Sequence, residues 1–164
     1  MRKLDARLQA IADLVRGGII ADIGSDHALL PARLVKTGKI KKAYAIDISA
    51  KCVERMKNNL ADFNIPQEII EPVLSDGLTA LENIKNINLN SLTDIIIAGM
   101  GGETIAHIIA DIKKPENINF ILQPNTKKDF LKDFLTANNF DILQELTVRD
   151  KKRFYNIISA ILKI

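Results

Sequence analysis

With 164 residues, 47% of them apolar and 26% charged, the chain has the size and balance of one globular domain that can bury its own core. Its single cysteine, Cys52, excludes an internal disulfide. No apolar run approaches the roughly 20 residues of a membrane span, and the amphipathic start is unlike a signal peptide; a monomer in the cytoplasm is expected, without membrane contact. The net charge of +3 is compatible with a nucleic-acid partner without demanding one. The lysine clusters at positions 36–42, 127–128 and 151–153 equally suit a solvated surface.

Leu4, Leu8, Ile11 and Val15 recur at helical spacing and predict an amphipathic helix over 4–15, stopped by Gly17-Gly18. The run Ile19-Ile20-Ala21-Asp22-Ile23 reads as a buried strand ending at Gly24. A helix is expected from about His27 to Val35, ended by Gly38, then a strand over 43–46 closed by Asp47. Ser49 can cap a helix whose inner face is Val53, Met56 and Leu60. A third strand spans Ile69 to Leu74, Asp76-Gly77 turns the chain, and a short helix is expected from Leu78 to Ile84. The Asn-rich stretch 85–93 reads as a loop.

The fourth strand, 94–98, ends in Gly99-Met100-Gly101-Gly102. Ile105, Ile108, Ile109 and Ile112 mark a helix, with Pro115 beyond its end. The fifth strand is 119–122, and Thr126 with Asp129 resembles a capping box for a helix carrying Phe130, Leu131, Phe134 and Leu135. Strands near 141–149 and 154–163 close the chain. Five strand–helix alternations imply a parallel sheet with helices on both faces. The last two strands lack a helix between them and must form a hairpin, with one strand antiparallel to the rest. Residues 1–164 are therefore expected to be a single α/β domain with a mostly parallel, seven-stranded sheet and no internal repeat.

In an open α/β sheet, ligands bind outside the carboxyl ends of the strands. Four of these ends carry Gly or Asp: 22–27, Asp47, Asp76-Gly77 and 99–102. A dinucleotide site wants three glycines in its first turn. Here the turn Asp22-Ile23-Gly24-Ser25-Asp26-His27 has one, and it sets Asp26 where a phosphate would lie. Like charges about 4 Å apart repel by about 4 kcal/mol at an effective dielectric of 20. NAD, FAD and ATP are thereby disfavoured, and a phosphate-free cation such as S-adenosylmethionine suits the carboxylates. Gly24 lets a ligand approach the backbone. Asp47 lies at the spacing of a ribose-binding acid, and Asp76 can accept from an adenine amino group with Leu78 beside the ring. Both aspartates suit plain turns as well.

Residues 22–28 with Leu30-Pro31, the run Ile97-Ala98-Gly99-Met100-Gly101-Gly102, Leu122-Gln123-Pro124-Asn125 and the opening Arg7-Leu8 together resemble the bacterial tRNA (adenine-N1)-methyltransferases that modify position 22. The resemblance runs in order from residue 4 to the chain end. It implies a Rossmann-like class I methyltransferase fold, methyl transfer to N1 of a tRNA adenine, S-adenosylmethionine as cofactor, and no metal. Gly24, Asp47, Asp76 and Gly99 match cofactor-contacting positions of the family. The expected cofactor site also takes in Arg7, Asp22, Ser25 and His27 from the first turn, Ile48, Gly77 and Leu78 from the next two strand ends, and Ala98, Met100 and Gly101 from the fourth.

Asp26 matches the position proposed to act on the target base. Adenine N1 already has a lone pair, so a carboxylate would stabilise the cationic product ring and take the N6 proton afterwards; Asp26 also suits a helix N-cap. Asn125 can hydrogen-bond the adenine edge or serve as a turn residue. The chain departs from the family in carrying Leu29 in place of tyrosine, so stacking on the base is expected from Phe154 or Tyr155, which are equally suited to the strand core. His27 is suited to contact cofactor or phosphate, or only to support the turn, and His107 is expected at the surface or in packing. The family also continues into a C-terminal helical domain, expected to grip tRNA, which 1–164 does not contain. A cofactor-binding module without activity of its own, and a methyltransferase for another substrate, are the competing readings.

Overall fold

Runs of Ile, Val, Phe and Ala set the strands of the chain, whose computed structural model describes residues 3–76, 91–110 and 117–163. In chain order the elements are α1 (Ala6–Leu14), β1 (Gly18–Ile23), α2 (Leu29–Lys36), β2 (Ile40–Asp47), α3 (Ala50–Asp62) and β3 (Ile70–Leu74). They continue with β4 (Asp94–Gly101), α4 (Gly102–Ala110), β5 (Asn119–Thr126), α5 (Lys128–Ala137), β6 (Phe140–Asp150) and β7 (Arg153–Leu162). The seven strands form one sheet in the order β3-β2-β1-β4-β5-β7-β6. β1 to β5 pair in parallel, and β7 runs antiparallel to both of its neighbours. This is the Rossmann-like methyltransferase layout expected from the sequence, hairpin included.

Side chains on a strand alternate between the faces of the sheet, and the apolar runs are long enough to fill both. Ile95, Ile97, Phe120, Leu122 and Ile158 pack with α4 and α5 through Ile105, Ile109, Leu131 and Leu135. Their strand neighbours Ile20, Ile96, Ile121 and Ile157 pack with α1, α2 and α3 through Ile11, Leu34, Met56 and Leu60. Phe120 meets Phe140 edge-on, with ring centroids 5.3 Å apart. Ser49 caps α3 as expected, accepting from the Cys52 amide at 3.4 Å. No helix among the described residues is long and apolar enough to cross a membrane.

Two expected helix starts differ. α2 begins at Leu29, not at His27, because residues 24–28 wind into a tight turn with Asp26 and Ala28 at φ 48° and 53°. The amides of His27 and Ala28 both donate to Ser25 O, at 2.5 and 3.1 Å, so Asp26 is not the cap of α2. The Thr126–Asp129 capping box does not form either. The β4–β5 ladder continues to the pair Gly101–Thr126, which holds Thr126 in the strand, and Lys127 caps α5 in a left-handed conformation without a side-chain bond. β2, β4 and β5 likewise outrun their apolar cores, since ladder pairing extends into the residues flanking them. The expected helix Leu78 to Ile84, Gly77, most of the 85–93 loop, Ile112 and Pro115 lie outside the described residues.

The amino ends of β4, β5 and the end of β7 are joined by a buried polar lock. Asp94 is fully buried; the Arg16 amide donates to both of its oxygens at 3.2 Å, and Asn119 Nδ2 donates to Oδ1 at 2.9 Å. Ser159 Oγ in turn donates to Asn119 Oδ1 at 2.7 Å. A buried carboxylate stripped of a partner is costly. Asn119→Leu is therefore expected to destabilise the fold by about 3 kcal/mol in urea unfolding, whereas Thr147→Ala on the exposed hairpin should cost less than about 0.5 kcal/mol. Equal effects of the two would show that the lock carries no special share of stability.

Candidate functional site

The chain leaves β1 for β2 and β3 on one side of the sheet and returns to β4 and β5 on the other. Loops at the carboxyl ends of β1 and β4 consequently part around a crevice. The turn after β1 is moored to β2: the Gly24 and Ser25 amides donate to Ile46 O at 2.8 and 3.1 Å. Asp47 ties the next loop in, accepting from the Asp26 amide through Oδ2 at 3.3 Å and from the Ser49 amide through Oδ1 at 2.9 Å. Gly24 has φ +75°, and a Cβ there would collide with Met100 Cε. The Met100 methyl is the far end of a flexible side chain and can give way, so it is the backbone angle that favours glycine here.

Two hollows flank Gly24. The larger, about 430 Å³, is walled by Arg7, Asp22, Ser25, Asp26, His27, Leu29, Ala98 and Gly99 among others. The smaller, about 220 Å³, is walled by Asp47, Ile48, Ser75, Asp76, Met100, Thr104 and Ile108. Ile48 offers an apolar ledge there, 67% exposed. The structure thus brings together every described candidate named for the cofactor except Gly101, which sits behind the rim against Thr126. Gly77 and Leu78 lie outside the described residues. Asn125 belongs to β5, not to a turn after it, and lines a third hollow with Lys127, Arg153, Phe154 and Tyr155. His107 is exposed on α4.

Asp22, at the end of β1, is 6% exposed. Burial pushes its carboxyl up to about 6; the Ser25 hydroxyl, donating at 2.6 Å, and the Arg7 guanidinium hold it down, and Asp47 raises it further. A cation placed beside Asp22 would offset that burial cost. Asp26 projects its carboxylate between Arg55, whose Nη1 donates at 2.6 Å, and His27 Nε2 at 3.2 Å. Asn59 Nδ2 steadies the turn by donating to His27 O at 3.0 Å.

A second network crosses the rim. Arg7 Nη1 donates to Gln123 Oε1 at 2.8 Å, Gln123 Nε2 to Asn125 Oδ1 at 2.9 Å, and Asn125 Nδ2 to Gly99 O at 2.8 Å. Gln123 is fully buried, and the Arg7 guanidinium also lies 5.5 Å from the Tyr155 ring centroid. Sequence reasoning assigned no role to Gln123 or Arg55. An amide closing the apolar run 120–122 was a readable signal for Gln123; Arg55 sits on a polar helix face and carried none. Among the described residues no group of three His, Cys, Asp or Glu side chains is arranged to hold a metal ion.

The methyltransferase-domain family model matches residues 4–158. The chain is 32% identical over 161 residues to the tRNA (adenine(22)-N(1))-methyltransferase of Bacillus subtilis, covering 96% of this chain and 65% of that protein. Among solved structures it superposes on Mycoplasma capricolum TrmK in complex with S-adenosyl-homocysteine with a TM-score of 0.88, at 32% identity, over 98% of this chain and 69% of that one. It superposes on Streptococcus pneumoniae Sp1610 in complex with S-adenosyl-L-methionine with a TM-score of 0.81, at 33% identity, over 96% of this chain and 74% of that one. The chain thus spans about two thirds of the length of the relatives it matches.

Asp22 makes a signed prediction. In the unfolded chain it titrates at 3.8 and in the folded chain at about 6, so the folded form holds its proton over that interval. Stability should therefore fall as pH rises through the interval, by about 3 kcal/mol from this group, and stay level above it. Chemical denaturation of wild type and Asp22→Asn between pH 4 and pH 7 checks this; parallel profiles for the two proteins would refute the burial cost.

Proposed function

The chain belongs to the methyltransferase-domain family and, within it, to the TrmK tRNA (m1A22) methyltransferases, and from that premise we propose that it transfers a methyl group from S-adenosylmethionine to N1 of adenine 22 of tRNA. The observation that carries this reading is the pair of hollows meeting at Gly24, lined by carboxylates and small residues. The residues fit the cofactor on three counts. Asp22 pays a burial cost that a cation would relieve. Gly24, at φ +75°, lets the turn between the two hollows present bare backbone to both. Each Asp47 oxygen accepts from one backbone amide and retains a lone pair for a ribose hydroxyl.

S-adenosylmethionine supplies an electrophilic methyl group on a cationic sulfonium. Asp22 and Arg7, side by side in the larger hollow, suit the ammonium and carboxylate of its amino-acid end; Asp47, Ile48 and Asp76 suit the ribose and adenine in the smaller one. Adenine N1 needs no base to expose its lone pair. Asp26 would stabilise the positive charge that methylation places on the ring and accept the N6 proton, held at its post by Arg55 and His27. Asn125 would read the adenine edge, its amide oriented by Gln123 and Gly99.

Mass spectrometry of tRNA nucleosides after incubation with the chain and S-adenosylmethionine should show N1-methyladenine, and Asp26→Asn should slow its formation by roughly 100-fold while cofactor affinity in calorimetry stays within about 3-fold. Cofactor uptake without transfer by the wild-type chain would favour a binding module over an enzyme, and methylation at another atom or substrate would sink the reading. Gln123→Leu is expected to slow methyl transfer roughly 10-fold, since it frees both Arg7 and Asn125; an unchanged rate constant in single-turnover kinetics would show that the relay does not orient them.

A further inference from the structure

The third hollow, about 440 Å³ between the end of β5 and the start of β7, is not used by the cofactor reading. Phe154 belongs to the same sheet face as Asn156 and Ile158, by the alternation of β7. Ile158 is covered by the α4–α5 layer, but Phe154 lies beyond it and is 67% exposed. Such a ring on a polar hairpin needs a reason. The Arg149 guanidinium lies 5.9 Å from its centroid, across the strand pair. Lys127 and Arg153 line the same hollow. Neither makes an ion pair among the described residues, whereas Lys128 is engaged by Glu145 at 3.5 Å.

The hollow also abuts the reaction site. Asn125 lines it while its amide bonds Gly99 O in the wall of the hollow that holds Asp22 and Arg7, and Tyr155 lines it while facing Arg7. An exposed aromatic face beside unneutralised cations is the chemistry of a single-stranded nucleic-acid platform, in which bases stack and phosphates find charge. Resting on the tRNA reading above, we propose that this hollow holds a nucleotide adjacent to the target adenine, with Phe154 stacked on its base and Lys127 and Arg153 on its flanking phosphates.

The two contact types leave different signatures. Fluorescence anisotropy of a labelled single-stranded oligoadenylate with the 164-residue chain, over a series of salt concentrations, separates them. Phe154→Ala should weaken binding roughly 10-fold at every salt concentration and leave the slope of log K against log salt unchanged. Lys127→Ala and Arg153→Ala should each make that slope shallower by about 0.7. Lys41→Ala, an exposed lysine at the far end of the sheet, serves as the control, and S-adenosylmethionine affinity reports that each variant is folded. Variants no different from Lys41→Ala would overturn the proposal, as would polyglutamate competing for the hollow as well as oligoadenylate does. N1-methyladenine formation is scored separately: transfer without Phe154 dependence removes the platform and leaves the reaction, and Phe154 dependence without transfer removes the reaction and leaves the platform.

Discussion

Everything at the rim depends on where β1 sits. It pairs in parallel with β2 on one edge and β4 on the other, so three strands deliver their carboxyl ends to one line. The chain winds outward in opposite directions from β1, which prevents the two following loops from packing on each other and leaves a crevice between them. The Gly24 and Ser25 amides then fasten the first loop to Ile46 O. Without that mooring, the aspartates at the strand ends would have no fixed relation. With it, two hollows share one glycine as their common wall.

The charges follow from this placement. Asp22 is buried because it is still part of a central strand, and burial raises its proton affinity. Asp47 lies one strand over, where each of its two oxygens accepts from one backbone amide of the adjacent loops. Asp26 is carried on a left-handed turn that projects it away from the helix it was free to cap, toward Arg55 of α3. Three aspartates within one crevice thus serve different purposes, set by burial and partners more than by residue type.

Polar side chains inside the sheet divide the molecule in two. At the amino ends of the strands, Asp94, Asn119 and Ser159 satisfy one another and the backbone of Arg16. At the carboxyl ends, Arg7, Gln123 and Asn125 form an open chain that reaches the surface. The first network is closed and has nothing left to offer a ligand. The second ends on an exposed amide beside the third hollow, and its members also touch Gly99 and Tyr155. It links the amino-terminal helix, the fourth strand end and the hairpin through direct contacts.

Much of this was legible in the residues themselves. Apolar runs such as Ile95-Ile96-Ile97 and Phe120-Ile121-Leu122 require a sheet covered on both faces, because alternation sends neighbours to opposite sides. Ser49 before an amphipathic run specifies its own helix start through a bond three residues away. Local chemistry of this kind is complete within a few positions. Other features needed partners distant in sequence. The start of α5 was settled by a ladder with β4 that kept Thr126 extended, and the posture of Asp26 by Arg55, 29 positions away. Gln123 meets Arg7 across 116 positions. Spacing along a chain fixes periodicity and caps, but hydrogen bonds between remote residues form only once the sheet has set their distances, and those bonds decide which side chains of the rim can act together.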